Sequence, residues 1–171
     1  MKPYIILLLL IGFNDLDAQS IKDLDFLIGN WDVNETLFPG TDRSYTEGGT
    51  RTCAYYLDES FIKCESSTVS SKTGKQRSYI YLINYDQKEE CFWVTALSND
   101  FPKHDKQQWF LDRANEQILA IIPEGVFNNR FFRATISYKD PNRLVWDGWY
   151  SKFRAEREWK HIMNDVATRR E

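Results

Sequence analysis

The residues with chemistry to offer are few and scattered. The chain holds two histidines, His104 and His161, and three cysteines, Cys53, Cys64 and Cys91. No HExxH or CxxC spacing of metal ligands exists. No GxSxG, phosphate-binding loop or dinucleotide fingerprint occurs either. Carboxylates are plentiful, but no spacing singles out a catalytic pair. Hydrolase and dehydrogenase chemistry is therefore poorly supported, and neither a metal ligand nor a catalytic residue is assigned. What remains is binding chemistry. Aromatic residues make up 15% of the 171 residues, which suits a β core or a cavity lined for an apolar ligand.

The expected wall of such a cavity is Trp31, Tyr55, Tyr79, Tyr81 and Trp93, each on an alternating strand. Parity alone does not say which face is inward. Two polar residues could orient a ligand. Arg133 could clamp a carboxylate bidentately, or simply face outward. His161 shares parity with Trp159, Met163 and Asp165; it could touch a ligand, or be a surface or wall histidine. His104 stands in a charged loop and is expected to be solvated. The partner expected is a small apolar or amphipathic molecule. Two other readings stay open. One is an isomerase or hydrolase using a buried carboxylate or His161. The other is a filled barrel that docks a partner through Trp146, Trp149 and Tyr150.

The elements that must position these residues are strands. Alternation and turn signals place them at 30–38, 48–57, 60–70, 76–85, 90–97, 107–112, 116–123, 130–138, 143–150 and 157–169. Ten short strands joined by tight turns predict an all-β, up-and-down antiparallel barrel. Closure would remove the exposed edges, the last strand pairing with the first. A short helix precedes them, capped by Ser20 or Asp23, with Leu24, Leu27 and Ile28 on one face and Gly29 ending it. Trp31 then either plugs the barrel end beside that helix or is an ordinary core residue.

The cysteines report on compartment. With Asp58-Glu59 as the turn of a hairpin, Cys53 falls opposite Cys64. A hydrogen-bonded pair spaced at ~5.5 Å would allow a disulfide between them. The alternative is two reduced, buried thiols. Cys91 is left over, expected to be free and buried.

Three stretches carry a resemblance. LDFLIGNW at 24–31, INYDQKEECFW at 83–93 and EWKHIMNDVATRR at 158–170 are similar to segments of the domain-of-unknown-function 1579 family, within the lipocalin-like set. Gly29 and Trp31 match the Gly-x-Trp that opens the first lipocalin strand. The resemblance implies a lipocalin-like (calycin-type) barrel and no general activity. It also implies that Arg169 or Arg170 stacks on Trp31 by a cation–π contact that locks the barrel end. Related nitrobindin-like barrels hold haem, for which His161 would be the ligand. Asp32-Val33-Asn34-Glu35 departs from the Gly-rich opening strand of that pattern, and no cofactor is predicted.

Residues 1–18 read as an export signal. Lys2 gives a positive start, residues 5–13 form an apolar core too short to span a bilayer, and Leu16-Asp17-Ala18 offers a cleavage site. Residues 19–171 are then a single exported domain, periplasmic or secreted, and Asn34-Glu35-Thr36 fits a glycosylation acceptor. No further segment is apolar enough to cross a membrane. Lys and Arg number 22 against 25 Asp and Glu, and the pI is about 5.5. With no basic run longer than two residues, a nucleic-acid partner is not expected.

Overall fold

A computed structural model describes residues 19–100, 105–122, 131–151 and 158–170. The expected export signal at 1–18, His104 and the expected turn at 125–129 lie outside the described residues. A seven-residue 3₁₀ helix, Ile21–Leu27, leads into ten strands. These are β1 (Gly29–Leu37), β2 (Tyr45–Tyr56), β3 (Phe61–Ser70), β4 (Gln76–Asp86) and β5 (Cys91–Ser98), then β6 (Asp105–Asp112), β7 (Gln117–Ile121), β8 (Phe131–Asp140), β9 (Arg143–Ser151) and β10 (Lys160–Arg169). Each strand pairs antiparallel with its neighbours in sequence, and β10 pairs with β1 to close the barrel. The expected all-β, up-and-down barrel is the observed one. No helix among the described residues is long and apolar enough to cross a membrane.

The helix seals one end of the barrel. Ser20 is its N-cap, and its amide donates to Asp23 Oδ2 at 2.8 Å. Leu24 and Leu27 are buried beneath it. Trp31 is fully buried and donates from Nε1 to Leu27 O at 2.9 Å. Removing so large a buried ring typically costs about 3–5 kcal/mol, so the Trp31 plug is a major part of this end.

Ile28 is the C-cap of the helix, in extended conformation, so Gly29 holds the C′ position expected of it and is also the first residue of β1, with φ +135°. Two things call for glycine here: this φ, which L side chains rarely adopt, and the neighbouring strand β10, where a Cβ would stand 2.5 Å from Arg169 Nη1.

The β2–β3 hairpin has the expected register, with Tyr55 opposite Ile62 and Cys53 opposite Cys64. Its loop is longer than two residues. Leu57, Asp58 and Glu59 all take positive φ, and Ser60 N donates back to Leu57 O at 3.0 Å. Cys53 and Cys64 are bonded. Their Cα atoms are 4.0 Å apart, which is the spacing of the narrow, non-hydrogen-bonded pair rather than the wide one expected. Cys91 is a free, fully buried thiol.

Candidate functional site at the open barrel end

The interior changes character along the barrel. On β1 the inward residues run Trp31, Val33, Glu35 away from the helix. On β2 they run Tyr55, Cys53, Arg51, Gly49, Glu47 in the same direction. Apolar side chains therefore fill the helix end, and charged ones gather at the other. Between them lies an aromatic floor. Tyr81 and Trp146 rings are 5.5 Å apart, Trp109 and Trp146 5.5 Å, and Tyr81 and Trp109 6.4 Å. Beneath this floor, among the described residues, lies a void of about 20 Å³. Above it opens a cavity of about 330 Å³, lined by Glu35, Arg77, Tyr79, Tyr81, Trp146 and Asp165, with Met163, Ser98 and Gln107 around them. Asp100 and Asp105 stand at its mouth.

Three carboxylates cross the wall in one row. Glu47, Glu35 and Asp165 are directly opposite one another on β2, β1 and β10, and Trp146 continues the row on β9. All three acids are under 5% exposed. Like charges in this position repel, and two guanidiniums offset them. Arg51, itself buried, pairs with Asp165 Oδ2 and donates from Nε to Ser66 Oγ at 3.0 Å. Arg77 reaches in from β4, pairs with Glu35 and sits 2.8 Å from Glu47 Oε2. Glu47 also accepts from Thr68 Oγ1 at 2.9 Å.

The electrostatics are unusual for a barrel wall. Burial pushes the Glu35 carboxyl up to about 7, against the pull of Arg77. Burial also pushes the Tyr79 hydroxyl up to about 12 and raises Tyr81. Desolvation is the largest single influence on Arg51 and works against its charge, but Asp165, Tyr79 and Tyr81 together raise Arg51 overall. Three fully buried polar atoms on residues that line the cavity have no hydrogen-bond partner: Asp165 Oδ1, Trp146 Nε1 and Arg77 Nε. No group of three His, Cys, Asp or Glu among the described residues is arranged to hold a metal ion.

The expected wall divides into three. Tyr79 and Tyr81 do line the cavity. Trp31 and Tyr55 face inward but belong to the sealed end, where the Tyr55 hydroxyl donates to Asp25 and Lys22 Nζ lies 4.1 Å from its ring centroid. Trp93 faces outward, opposite Asn84, because Phe92 and Val94 take the inward positions of β5.

Arg133 and His161 are also outside the barrel. Ala134 and Ile136 take the inward positions of β8, which turns Arg133 out between Trp149, at 5.6 Å, and Trp159, at 4.4 Å. The His161 ring stacks on Trp149 with centroids 5.3 Å apart, and its Nε2 is 2.9 Å from Asp147 Oδ1. Parity failed here for a definite reason. β10 carries a bulge between His161 and Met163, and one extra residue moves the following side chains to the opposite face. A haem ligated by His161 therefore does not fit the barrel interior. The expected patch of Trp146, Trp149 and Tyr150 is split as well, since Trp146 is buried in the lumen.

Reading by motif missed Glu35, Glu47, Arg51, Arg77 and Asp165. Their signal was present in the sequence: each is a charged residue sharing strand parity with buried apolar neighbours, such as Glu35 with Trp31 and Val33.

No family model matches the sequence, and no curated protein does. Solved structures do. Rv2717c from M. tuberculosis superposes with a TM-score of 0.59 at 12% identity, over 90% of this chain and 99% of that one. The S-type phycobiliprotein lyase CPES from Guillardia theta superposes with a TM-score of 0.61 at 9% identity, over 90% and 94%. At such identities the likeness is one of fold, a lipocalin-like barrel.

Proposed function

We propose that this chain is an exported barrel of the domain-of-unknown-function 1579 kind that binds a small, partly apolar molecule at its open end. The observation that carries this reading is the 330 Å³ cavity, an aromatic floor under a wall of buried charges. That volume sits at the lower end of small-ligand pockets, about 300–1,000 Å³. Tyr79, Tyr81, Trp146 and Met163 supply apolar contact, while Glu35, Arg77 and Asp165 orient the ligand. Fold likeness does not transfer a function, so the reading rests on the cavity. Export is supported by the signal-like residues 1–18 and by the Cys53–Cys64 disulfide, because such bonds persist in oxidising compartments.

Native mass spectrometry of protein purified from its exported fraction tests this. A stoichiometric extra mass that leaves on denaturation is expected. Ala96→Trp, which fills the cavity beside Tyr81, should lose that mass while keeping its β-rich circular dichroism. A bare mass, with no shift in melting or tryptophan fluorescence on soaking with amphiphiles, overturns the reading.

One observation favours a second reading, an enzyme on the same barrel. A buried carboxyl whose pKa is near 7 is suited to general acid–base work, and Glu35 has that property beside the cavity. Turnover of a bound ligand that Glu35→Gln abolishes without weakening binding would decide for it.

A further inference from the structure

One member of the charge cluster is open to the cavity, and it decides what kind of ligand fits. The inference rests on the ligand-binding reading above and narrows it. Arg77 has 21% of its side chain exposed, against 6% or less for Arg51, Glu35, Glu47 and Asp165. Its guanidinium lies 5.3 Å from the Tyr79 ring centroid, in the wall of the cavity. A ligand that meets a charge of this cluster therefore meets a cation.

That cation is divided between two acids. Glu35 and Glu47 are directly opposite on β1 and β2. Both pair with the same nitrogen of Arg77, Nη2. A guanidinium has further N–H donors on its other nitrogens, so this arrangement engages one corner of it. The acids are not equally held. Glu47 has Thr68 Oγ1 as a second donor. Asp165 is matched by buried Arg51. Glu35 has Arg77 as its one donor among the described residues. Two carboxylates opposite one another on a shared cation repel, and Glu35 gains least from keeping its charge.

The surroundings suit an exchange of partners. The charged groups facing Glu35 are Arg77 from β4, Asp165 from β10, and Glu47 and Arg51 from β2. Tyr45, Tyr79 and Tyr81 are phenols that burial keeps neutral. Burial already lets Glu35 hold its proton up to about pH 7. Of the acids at the mouth, Asp100 is exposed, where salt screens it, and Asp105 is engaged by a partner of its own.

We propose that the cavity binds a molecule with an apolar body and a carboxylate, which takes Arg77 over from Glu35 while Glu35 binds a proton from solvent. Above pH 7 one negative charge then replaces another beside Arg77, and none is added to the lumen. Below pH 7 Glu35 has already given up the place. The apolar body lies on Tyr81, Trp146 and Met163.

3-Phenylpropionate and its neutral alcohol, 3-phenylpropan-1-ol, test the carboxylate. Titration calorimetry on the mature, disulfide-intact chain at pH 6.5 should show the acid binding about tenfold or more tighter, the effect of one charge-assisted hydrogen bond. Arg77→Gln should erase that preference. The exchange is read separately. From pH 7 to pH 8.5 the affinity for 3-phenylpropionate should fall by up to about tenfold per pH unit. Heats measured at pH 8 in two buffers of different ionisation enthalpy should show uptake of about one proton, and far less at pH 6. Glu35→Gln should show neither the uptake nor the fall, and it remains the test if Arg77→Gln does not fold. Equal binding of acid and alcohol overturns the carboxylate assignment and leaves the ligand-binding reading standing. Binding of the acid with no proton uptake at pH 8 overturns the exchange. If neither probe binds while native mass spectrometry shows another bound molecule, this proposal is lost and the ligand-binding reading stands. If neither binds and the native mass is bare, both fall.

Discussion

The guanidinium of Arg169 lies 4.2 Å from the ring centroid of Trp31, joining the last strand of the barrel to the first. It also donates to Ile28 O at 2.7 Å and Phe26 O at 3.1 Å, so one side chain satisfies two carbonyls at the helix end. Gly29 leaves room for it. Arg170, one residue on, forms a half-exposed ion pair with Asp32. Arg169→Ala should therefore destabilise the fold by about 2–4 kcal/mol, less than the full sum of two charged hydrogen bonds and a cation–π contact because one partly exposed side chain makes all three. Arg170→Ala should cost less than about 1 kcal/mol. Urea midpoints of the two variants check this, and equal losses would refute the lock.

Glu35 makes stability depend on pH in a direction opposite to that of a salt-bridged surface acid. Its folded-state carboxyl sits near 7 against an ordinary 4.5, with burial as the main cause. The groups facing it are Arg77, Asp165, Glu47 and Arg51. The folded chain thus holds this proton more tightly than the unfolded chain. Glu35's contribution is fully present below about pH 4.5 and falls as pH rises to about 7, by up to roughly 3 kcal/mol. Urea unfolding at pH 5 and pH 8 should show this loss in the wild type and a smaller one in Glu35→Gln. Identical pH slopes would argue against a protonated Glu35.

The Cys53–Cys64 bond closes a short hairpin loop. Chain-entropy reasoning gives it about 3 kcal/mol of stabilisation. Reductant, or Cys53→Ser with Cys64→Ser, should lower the melting temperature accordingly. Without reductant, one thiol, Cys91, should react, and only after unfolding, because it is fully buried.

Adjacent glycines on β2 form a natural control. A Cβ on Gly49 would stand 1.9 Å from the Ser67 carbonyl oxygen, whereas one on Gly48 meets nothing within 4 Å. Gly49→Ala forces β2 and β3 apart and should cost about 1–3 kcal/mol or more. Gly48→Ala should be neutral or slightly stabilising. Thermal melts of the pair read the difference directly.

The barrel was legible because strand formation is written locally. Alternation and turn residues located ten strands within a few residues of their observed ends, and a symmetric hairpin count was enough to pair Cys53 with Cys64. Leu24, Leu27, Gly29 and Trp31 announced a sealed end. The functional end was not legible in the same way. Which face of a strand turns inward is set by closure of the whole sheet, so Trp93 and Arg133 could not be told from Tyr79 and Tyr81 by alternation. The bulge between His161 and Met163 shifts parity within one strand, and no local pattern marks it. The sequence by itself determined the barrel, the place of Trp31 beside the helix and the register that sets Cys53 opposite Cys64, because those follow from neighbours along one or two strands. Only the tertiary structure decided that Glu35, Glu47, Asp165, Arg51 and Arg77 meet in one lumen. Those charges come from β1, β2, β4 and β10, and only closing the barrel brings the four strands around one buried space.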